Sequence, residues 1–441
     1  MLEKHFCSSP WYHLRIRYDG SYTYCRWGKD DTNHSYNIST HTFGEFINSD
    51  AMCDVRMKLL KGKQPNGCMN CKKSENSGQL TGRQKQLLKS GIRLEEFKNT
   101  LLSSPHLGWF SEALDNNGEI TPRIVDLQID LSNVCNNACI MCSPKSSTKL
   151  GKDFIKLHKI SPDLFYKPEK IHNNWASDKI VLQKFIDDLL LYKDDIKYIH
   201  FLGGETLYVE EFYTICEALI DAGISKNIIV GTTTNGTVFN ERLKNIMSEF
   251  KEFHLGISIE TTTPLNDYIR YGSEIDKVLS NMDQFLMLRE EFENLYLVLR
   301  NTFSSLSIFH SDKLVEYMIE NEISSESCDV LQWPECMMVE LLPKDIKRDI
   351  KKRLRLLIDR INVPTTEVNA NVRIRGNELE QIVRVTNELI QLLSIPVEEN
   401  EDVEKKRHDL VRFLKSFEQL RDNKILEYIP EYEEFLRNYG Y

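Results

Sequence analysis

Apolar and polar positions change rhythm at about Ile120. Beyond it, short β-rich runs at Ile124–Leu131, Tyr198–Leu202, Ile228–Thr234, His254–Ile259, Leu295–Thr302 and Val330–Trp333 alternate with segments whose apolar residues recur every three or four positions. Those segments are Leu182–Leu190, Phe212–Leu219, Leu243–Met247, Val278–Leu288 and Leu314–Ile319, and each reads as an amphipathic helix. Six strands separated by helices predict an α/β fold, a parallel sheet wound by right-handed crossovers and curled into a full or partial barrel. In such sheets the loops after the strands converge at one end, so chemistry is expected there.

The flanks are less regular. Before the barrel, Leu14–Tyr18 and Ser21–Cys25 surround Asp19-Gly20 and predict a hairpin, while 32–65 is low in pattern and 146–177 reads as one helix followed by a polar connection. After Pro343 three helical stretches are expected, one presenting Leu379, Ile382, Val383, Thr386, Leu389 and Ile390, another Val403, Leu410, Val411, Leu414 and Phe417. The charge run 398–407 reads as a solvated linker and first helical turn. The division that follows is 1–118, 119–343 and 344–441.

Composition narrows the partners. The chain has 441 residues, enough for two or three domains or one large α/β unit with appendages, and a formal net charge of −10. It has no long Lys/Arg run, which argues against a nucleic-acid backbone as the main partner. No apolar stretch approaches the roughly 18 residues of a membrane span, and the first residues lack the apolar core of a signal peptide, so a soluble cytoplasmic protein is expected. In that reducing compartment eleven cysteines read as metal ligands, catalytic groups or buried thiols, not disulfides.

Their positions point to two sites. Cys135, Cys139 and Cys142, in Asn133-Val134-Cys135-Asn136-Asn137-Ala138-Cys139-Ile140-Met141-Cys142, follow the first barrel strand with the spacing C-x3-C-x2-C. Three thiolates are odd for disulfides and one short for structural zinc, but they can hold three irons of a [4Fe–4S] cluster and leave the fourth open to a ligand. With Met141 before the third cysteine, this stretch resembles the signature of the radical S-adenosylmethionine (SAM) enzymes. Further landmarks occur in the order that this family has them. Gly203-Gly204-Glu205 ends the second strand, Asn235-Gly236 ends the third, Ser258-Ile259-Glu260 ends the fourth, and Arg270 follows. Thr206 stands where the family usually has Pro, and Glu260 where Asp is commoner.

The resemblance covers about Ile124 to Pro343. It implies a partial (β/α)6 barrel, a SAM-binding [4Fe–4S] cluster on Cys135, Cys139 and Cys142, and SAM contacts from Met141, Gly203, Gly204, Glu205, Asn235, Ser258, Glu260 and Arg270. Glu205 and the strand-end carbonyls are the expected acceptors for the methionine ammonium, and Arg270 would serve the carboxylate or ribose. An electron donor such as flavodoxin or ferredoxin would be a partner.

Cys7 and Cys25 flank the hairpin, and Cys68-x2-Cys71 adds a knuckle pair. Together they resemble the auxiliary-cluster extensions called SPASM and twitch domains, here placed before the barrel. A second [4Fe–4S] cluster is the implied occupant; Zn²⁺ fits four thiolates equally, and Cys53 is the substitute should one of the four be wrong. Relatives with such extensions modify peptides or act on small sugar- or nucleotide-derived alcohols, and a peptide or protein side chain is the favoured substrate. The rival from another class is a zinc-stabilised interaction protein without catalysis. Cys216 reads as a core residue; Cys328 and Cys336 flank the sixth strand near the barrel mouth and read first as ordinary buried thiols, with donation of a hydrogen atom or a proton as the alternative; Trp11, Trp27 and Trp333 read as packing residues, and His13, His200 and His254 as structural.

Overall fold

A computed structural model describes residues 2–25, 35–69, 71, 75, 81–94, 96–167, 174–361 and 377–441. Trp27 lies outside them. Among the described residues the main sheet has seven strands: β1 (His13–Ile16), β2 (Tyr22–Thr23), β3 (Asp126–Asp130), β4 (Tyr198–Leu202), β5 (Ile229–Thr234), β6 (Glu252–Ile257) and β7 (Leu295–Leu299). Their order is β2-β1-β3-β4-β5-β6-β7, and every pairing from β1 to β7 through β3 is parallel. Helices Lys179–Leu190, Glu210–Asp221, Glu241–Glu249 and Ile275–Glu291 connect β3 to β7 in turn, as the periodicity predicts. The expected sixth strand is shorter and earlier than 330–333. It is β9 (Asp329–Val330), paired in parallel with β8 (Thr302–Phe303) as a separate ladder, and Pro334, four residues beyond its last pair, has no N–H to extend it.

Side chains alternate across each strand, so the register decides what lies inside. Leu127 and Ile129 on β3 sit beside Ile199 and Phe201 on β4, which sit beside Val230 and Thr232 on β5 and then Phe253 and Leu255 on β6. This row is buried under the helices, with Phe201 and Phe212 edge to face at 5.1 Å. The opposite row is polar: Asp126, Gln128 and Asp130 face away from the helices with Tyr198, His200 and His254. It lines the inner face of the partial barrel.

The boundary expected at 118/119 is not a break in the sheet. Asp19-Gly20 forms the turn of the hairpin, Gly20 having φ of +82°, and β1 then adds in parallel to the edge of β3 through His13, Leu14, Arg15 and Ile16. The patternless 32–65 contains two helices, Phe43–Ile47 and Asp50–Leu60, started by Thr42 and Ser49, whose hydroxyls accept from Glu45 N and Met52 N. Arg56 on the second is fully buried and donates to the carbonyls of Pro10, Ile47 and Gly118 at 2.9, 2.7 and 2.8 Å, joining three segments of the N-terminal region.

The C-terminal helices are Lys344–Ile358, Glu378–Leu392 and Glu401–Arg421. The second buries Ile382, Val385, Thr386, Leu389 and Ile390, so Val385 takes the inner place expected for Val383. On the third, Arg407 corrects the reading of 398–407 as solvated. It is buried, donates to the Leu341 carbonyl at 2.9 Å, and pairs with Glu399 and Glu404. Among the described residues no helix is long and apolar enough to cross a membrane.

Replacing Arg56 by Met removes three charge-assisted bonds and strands three buried carbonyls, a cost on the order of 3–5 kcal/mol. Urea denaturation followed by circular dichroism checks this, and a midpoint equal to that of the wild type would show that the clamp is dispensable.

Candidate active site

Parallel strands deliver their C-terminal ends to one edge, and the predicted landmarks all arrive there. The loop 131–147 follows β3, Gly203-Gly204-Glu205 follows β4, Asn235-Gly236 follows β5, and Ser258-Ile259-Glu260 follows β6. The glycines have a direct steric reason. Gly204 N donates to Ser132 O at 2.6 Å and Glu205 N to Val134 O at 2.9 Å, so the end of β4 lies against the backbone that leads into Cys135. A Cβ on Gly204 would stand 2.2 Å from Val134 O, and one on Gly203 2.5 Å from Ser132 O. Only glycine permits that approach.

The opposite side of the loop is held as firmly. Ala138 N donates to Tyr271 O at 2.7 Å and Ile140 N to Ile269 O at 2.9 Å, a short ladder around Cys139. Asn136 accepts from Asn235 Nδ2 at 2.7 Å and donates to Thr237 Oγ1 at 2.8 Å, while Lys149 Nζ caps the Asn136 carbonyl at 2.9 Å. Ser147 Oγ donates to Asn137 O at 2.8 Å and accepts from Leu150 N, starting the helix Thr148–Ile160.

The three thiols lie within range of each other's charge. Burial, and then the charge of Cys139, pushes the Cys135 and Cys142 thiols up to about 12. Cys139 is also pushed up by burial, but Arg270 and Arg421 pull the other way. Such a set cannot ionise together unless positive charge enters among the sulfurs. Ferric and ferrous iron would supply it, so the donor chemistry fits the cluster that the resemblance implies.

Glu205 and Glu260 take structural places beyond those expected of them. Glu205 is buried and accepts from Thr234 Oγ1 at 2.7 Å, Asn235 N at 2.6 Å and Leu207 N at 3.1 Å. Burial raises its pKa against those bonds. A carboxylate has about four acceptor positions, so one remains for a ligand. Glu260 accepts from Arg270 at 2.5 and 3.1 Å and from Thr302 N at 2.7 Å. Arg270, expected at the SAM carboxylate or ribose, is thus paired with Glu260, and its Nη1 stands 4.0 Å from Cys139 Sγ. Ser258 is half-buried, its N–H given to Thr234 O at 2.7 Å, and Met141 is half-buried beside Cys142.

The second set also comes together. Cys7, Cys25, Cys68 and Cys71 line one cavity with His13, Tyr24, Arg83 and Gln86. Burial, then Cys25, raises the Cys7 thiol well above its ordinary value, with Cys68 and Cys71 adding to the effect. Tyr24 OH lies 3.9 Å from Cys68 Sγ. Cys53 is not among the lining residues. It sits on the helix Asp50–Leu60, directed to Asn48 O at 3.8 Å, and its backbone is where a Cβ on Gly118 would collide, at 2.5 Å. Among the described residues no group of three or more His, Cys, Asp or Glu is close enough to grip a single ion. Because His13 is in register with Asp126, this cavity lies at the start of β3, at the opposite end of the sheet from the triplet.

The remaining candidates divide. Cys216 is fully buried in the core and Trp11 packs edge to face on Phe110 at 5.1 Å, as expected. Trp333 is 42% exposed, with Tyr166 6.3 Å away, so it is not a packing residue of the interior. Cys336 lines a groove with Phe154, Phe165 and Phe413, and Cys328 lies within range of the charges of Glu388 and Arg384 on the helix Glu378–Leu392; burial pushes each thiol up to about 12. His254 Nε2 pairs with Glu252 at 2.7 Å and His13 Nδ1 lies 3.5 Å from Asp126, in keeping with structural roles. His200 packs where Gly231 leaves room for its ring. Sequence reasoning missed Asn136, Lys149 and Arg421. Asn136 lay inside the quoted motif, but nothing local marked the other two.

Comparison with known proteins gives two family matches. Residues 129–301 match the radical SAM superfamily, and residues 7–72 match SPASM, an iron–sulfur cluster-binding domain. No curated protein matches this chain. Among solved structures, SuiB of Streptococcus suis bound to S-adenosylmethionine is 16% identical with a TM-score of 0.37, the match covering 68% of this chain and 62% of SuiB. SuiB bound to its precursor peptide SuiA is 15% identical with a TM-score of 0.37, covering 80% and 70%. The protein anSMEcpe with bound AdoMet and a Kp18Cys peptide is 20% identical with a TM-score of 0.35, covering 54% and 60%. The chain therefore spans about three-fifths of the length of SuiB in its SAM complex.

Gly204→Ala should expel the Ser132–Val134 backbone from its place and lower the iron bound after anaerobic reconstitution by about half, leaving the distant Cys7 site loaded. Iron retained at the wild-type level would show that the contact does not hold the loop.

Proposed function

We propose that this chain, which belongs to the radical SAM superfamily through residues 129–301 and carries an N-terminal SPASM domain over residues 7–72, reductively cleaves S-adenosylmethionine to methionine and a 5′-deoxyadenosyl radical that takes hydrogen from a peptide or protein side chain. Those two domains imply [4Fe–4S] clusters. When bound, a cluster on Cys135, Cys139 and Cys142 supplies the single electron that breaks the sulfur–carbon bond of SAM and an open iron that orients it. The observation that carries the reading is the loop itself: three thiols within range of one another's charge at the C-terminal edge of the sheet, on a backbone clamped by Gly204-Glu205 on one side and by Ile269–Tyr271 on the other.

The chain's own groups then divide the work. The acceptor position left on Glu205 suits the SAM ammonium, and Asn235, joined to Asn136, fixes the floor next to it. The Glu260–Arg270 pair holds a guanidinium beside Cys139 without leaving a net buried charge. Near Cys142 the half-exposed ring of Tyr166, with Trp333 6.3 Å from it, offers an apolar grip suited to a side chain, which supports a peptide or protein as substrate. The reductant would be a one-electron donor of the flavodoxin or ferredoxin class.

Cys7, Cys25, Cys68 and Cys71 would hold the second cluster. Its position at the far end of β3 means that an electron accepted from the substrate would cross the polar inner face of the barrel.

Anaerobically reconstituted protein should carry about eight irons and no zinc, and with dithionite it should convert SAM to 5′-deoxyadenosine, whereas Cys142→Ala should make none. About four irons with one zinc would remove the second cluster but not the SAM chemistry.

For the second cluster, Cys25→Ala and Cys71→Ala should remain folded and cleave SAM but release no oxidised product from a peptide substrate. Parallel loss of deoxyadenosine, product and circular dichroism would make the site structural instead.

A further inference from the structure

Arg421 is the last residue of the helix Glu401–Arg421, 120 residues beyond the end of the radical SAM match. Its side chain returns to the triplet. Nη2 donates to the Ala138 carbonyl at 2.7 Å, one residue before Cys139, and pairs with Asp153 at 2.9 Å. The guanidinium is stacked between Tyr271 and Phe417, 4.3 Å from each ring centroid, and only 5% of the side chain is exposed. A cation so deeply placed is retained against a desolvation cost, and solvent screens it weakly.

We propose that Arg421 is a positioning residue of the Cys135–Cys142 loop that also biases the cluster held there toward its reduced form, which makes the C-terminal helices part of the radical site. The inference rests on the reading of Cys135, Cys139 and Cys142 as cluster ligands. Its physical basis has two parts. The bond to the Ala138 carbonyl completes the grip on Cys139, whose other neighbours are the Tyr271 carbonyl, bonded to Ala138 N, and the Arg270 guanidinium. The positive charge stabilises the additional electron of the reduced state, because charge and hydrogen bonding around the sulfurs set the potential of such clusters. Asp153 opposes part of that effect from the helix Thr148–Ile160.

The opposed charges give a test with signs. In the full chain, reconstituted anaerobically, the midpoint potential is measured for the cluster whose electron paramagnetic resonance signal changes when SAM is added. Arg421→Met should make that cluster about tenfold harder to reduce, about 59 mV for one electron. Arg421→Lys, which keeps the charge, should recover most of the shift. Asp153→Asn, which unmasks the cation, should move the potential upward. An Arg421→Met protein with full iron and the wild-type potential overturns the proposal, and so does an Arg421→Lys protein as hard to reduce as Arg421→Met. Should Arg421→Met fail to hold iron, Asp153→Asn decides alone, and a potential unchanged or lowered overturns the proposal. A wild type with no SAM-sensitive signal would sink the cluster reading and this inference together, whereas a wild-type signal with unmoved variant potentials would sink this inference alone.

Discussion

Everything at the catalytic edge depends on one close approach, the backbone of Gly204 against that of Ser132–Val134. Two hydrogen bonds, 2.6 and 2.9 Å, form there only because neither glycine carries a Cβ. The contact places the loop after β3 over the end of β4, and that puts Glu205 at the centre of the site. Glu205 then binds Thr234 and the backbone of Asn235, so β5 is drawn to the same point. A steric permission in two residues thus becomes the alignment of three strand ends. In this chain the glycines of Gly203-Gly204-Glu205 shape the site as much as its carboxylate does.

Charge is the second constraint, and it is met in pairs. Three neighbouring thiols can ionise together only with positive charge close by, yet an unpaired guanidinium in the interior would cost more than it returned. Arg270 is accompanied by Glu260 and Arg421 by Asp153, so each brings its compensation with it. Both cations reach Cys139, the most buried of the three. The two pairs come from different levels of the chain: one from the barrel's own turn after β6, the other from a helix that closes over the barrel after it is complete.

Much of this could be read from the sequence, and the exceptions share a cause. The strand and helix alternation from 124 to 299 was legible because both periods are set by local geometry. The triplet and the landmarks at Gly203-Gly204-Glu205, Asn235-Gly236 and Ser258-Ile259-Glu260 were legible because they are short and follow strand ends, whereas Arg270 caps the helix Leu265–Ile269. The sixth strand shrank to Asp329–Val330 because Pro334 follows it closely and its partner β8 is itself two residues long. Val385 is buried in place of Val383 because both fit an apolar stripe, and only packing against the helices Ser311–Glu320 and Lys344–Ile358 chooses between them. Arg407 fell in a charge run read as solvated and Arg421 carried no mark at all; their partners are Leu341 and Ala138, 66 and 283 residues away, and no local pattern encodes such distances.

The two thiol sites are tied to each other by the sheet. β1 carries His13 into the wall of the Cys7 cavity at one end and hydrogen-bonds along β3, whose other end becomes the triplet loop. The strands between them are rigid and about 3.3 Å long per residue, so the separation is fixed by the count of residues in β3 and not by any linker. Along the way β1 and β3 turn Arg15, Asp130, His13 and Asp126 to the same inner face, Arg15 bonded to Asp130 at 2.5 Å and Asp126 to Lys89 at 2.6 Å. An N-terminal extension joined by a flexible hinge could place a second cluster at many distances from the first. One that enters as a strand of the same sheet fixes its cysteines at one distance, and this is the physical reason that a cysteine-rich segment preceding the barrel in sequence stands in a set relation to the triplet loop.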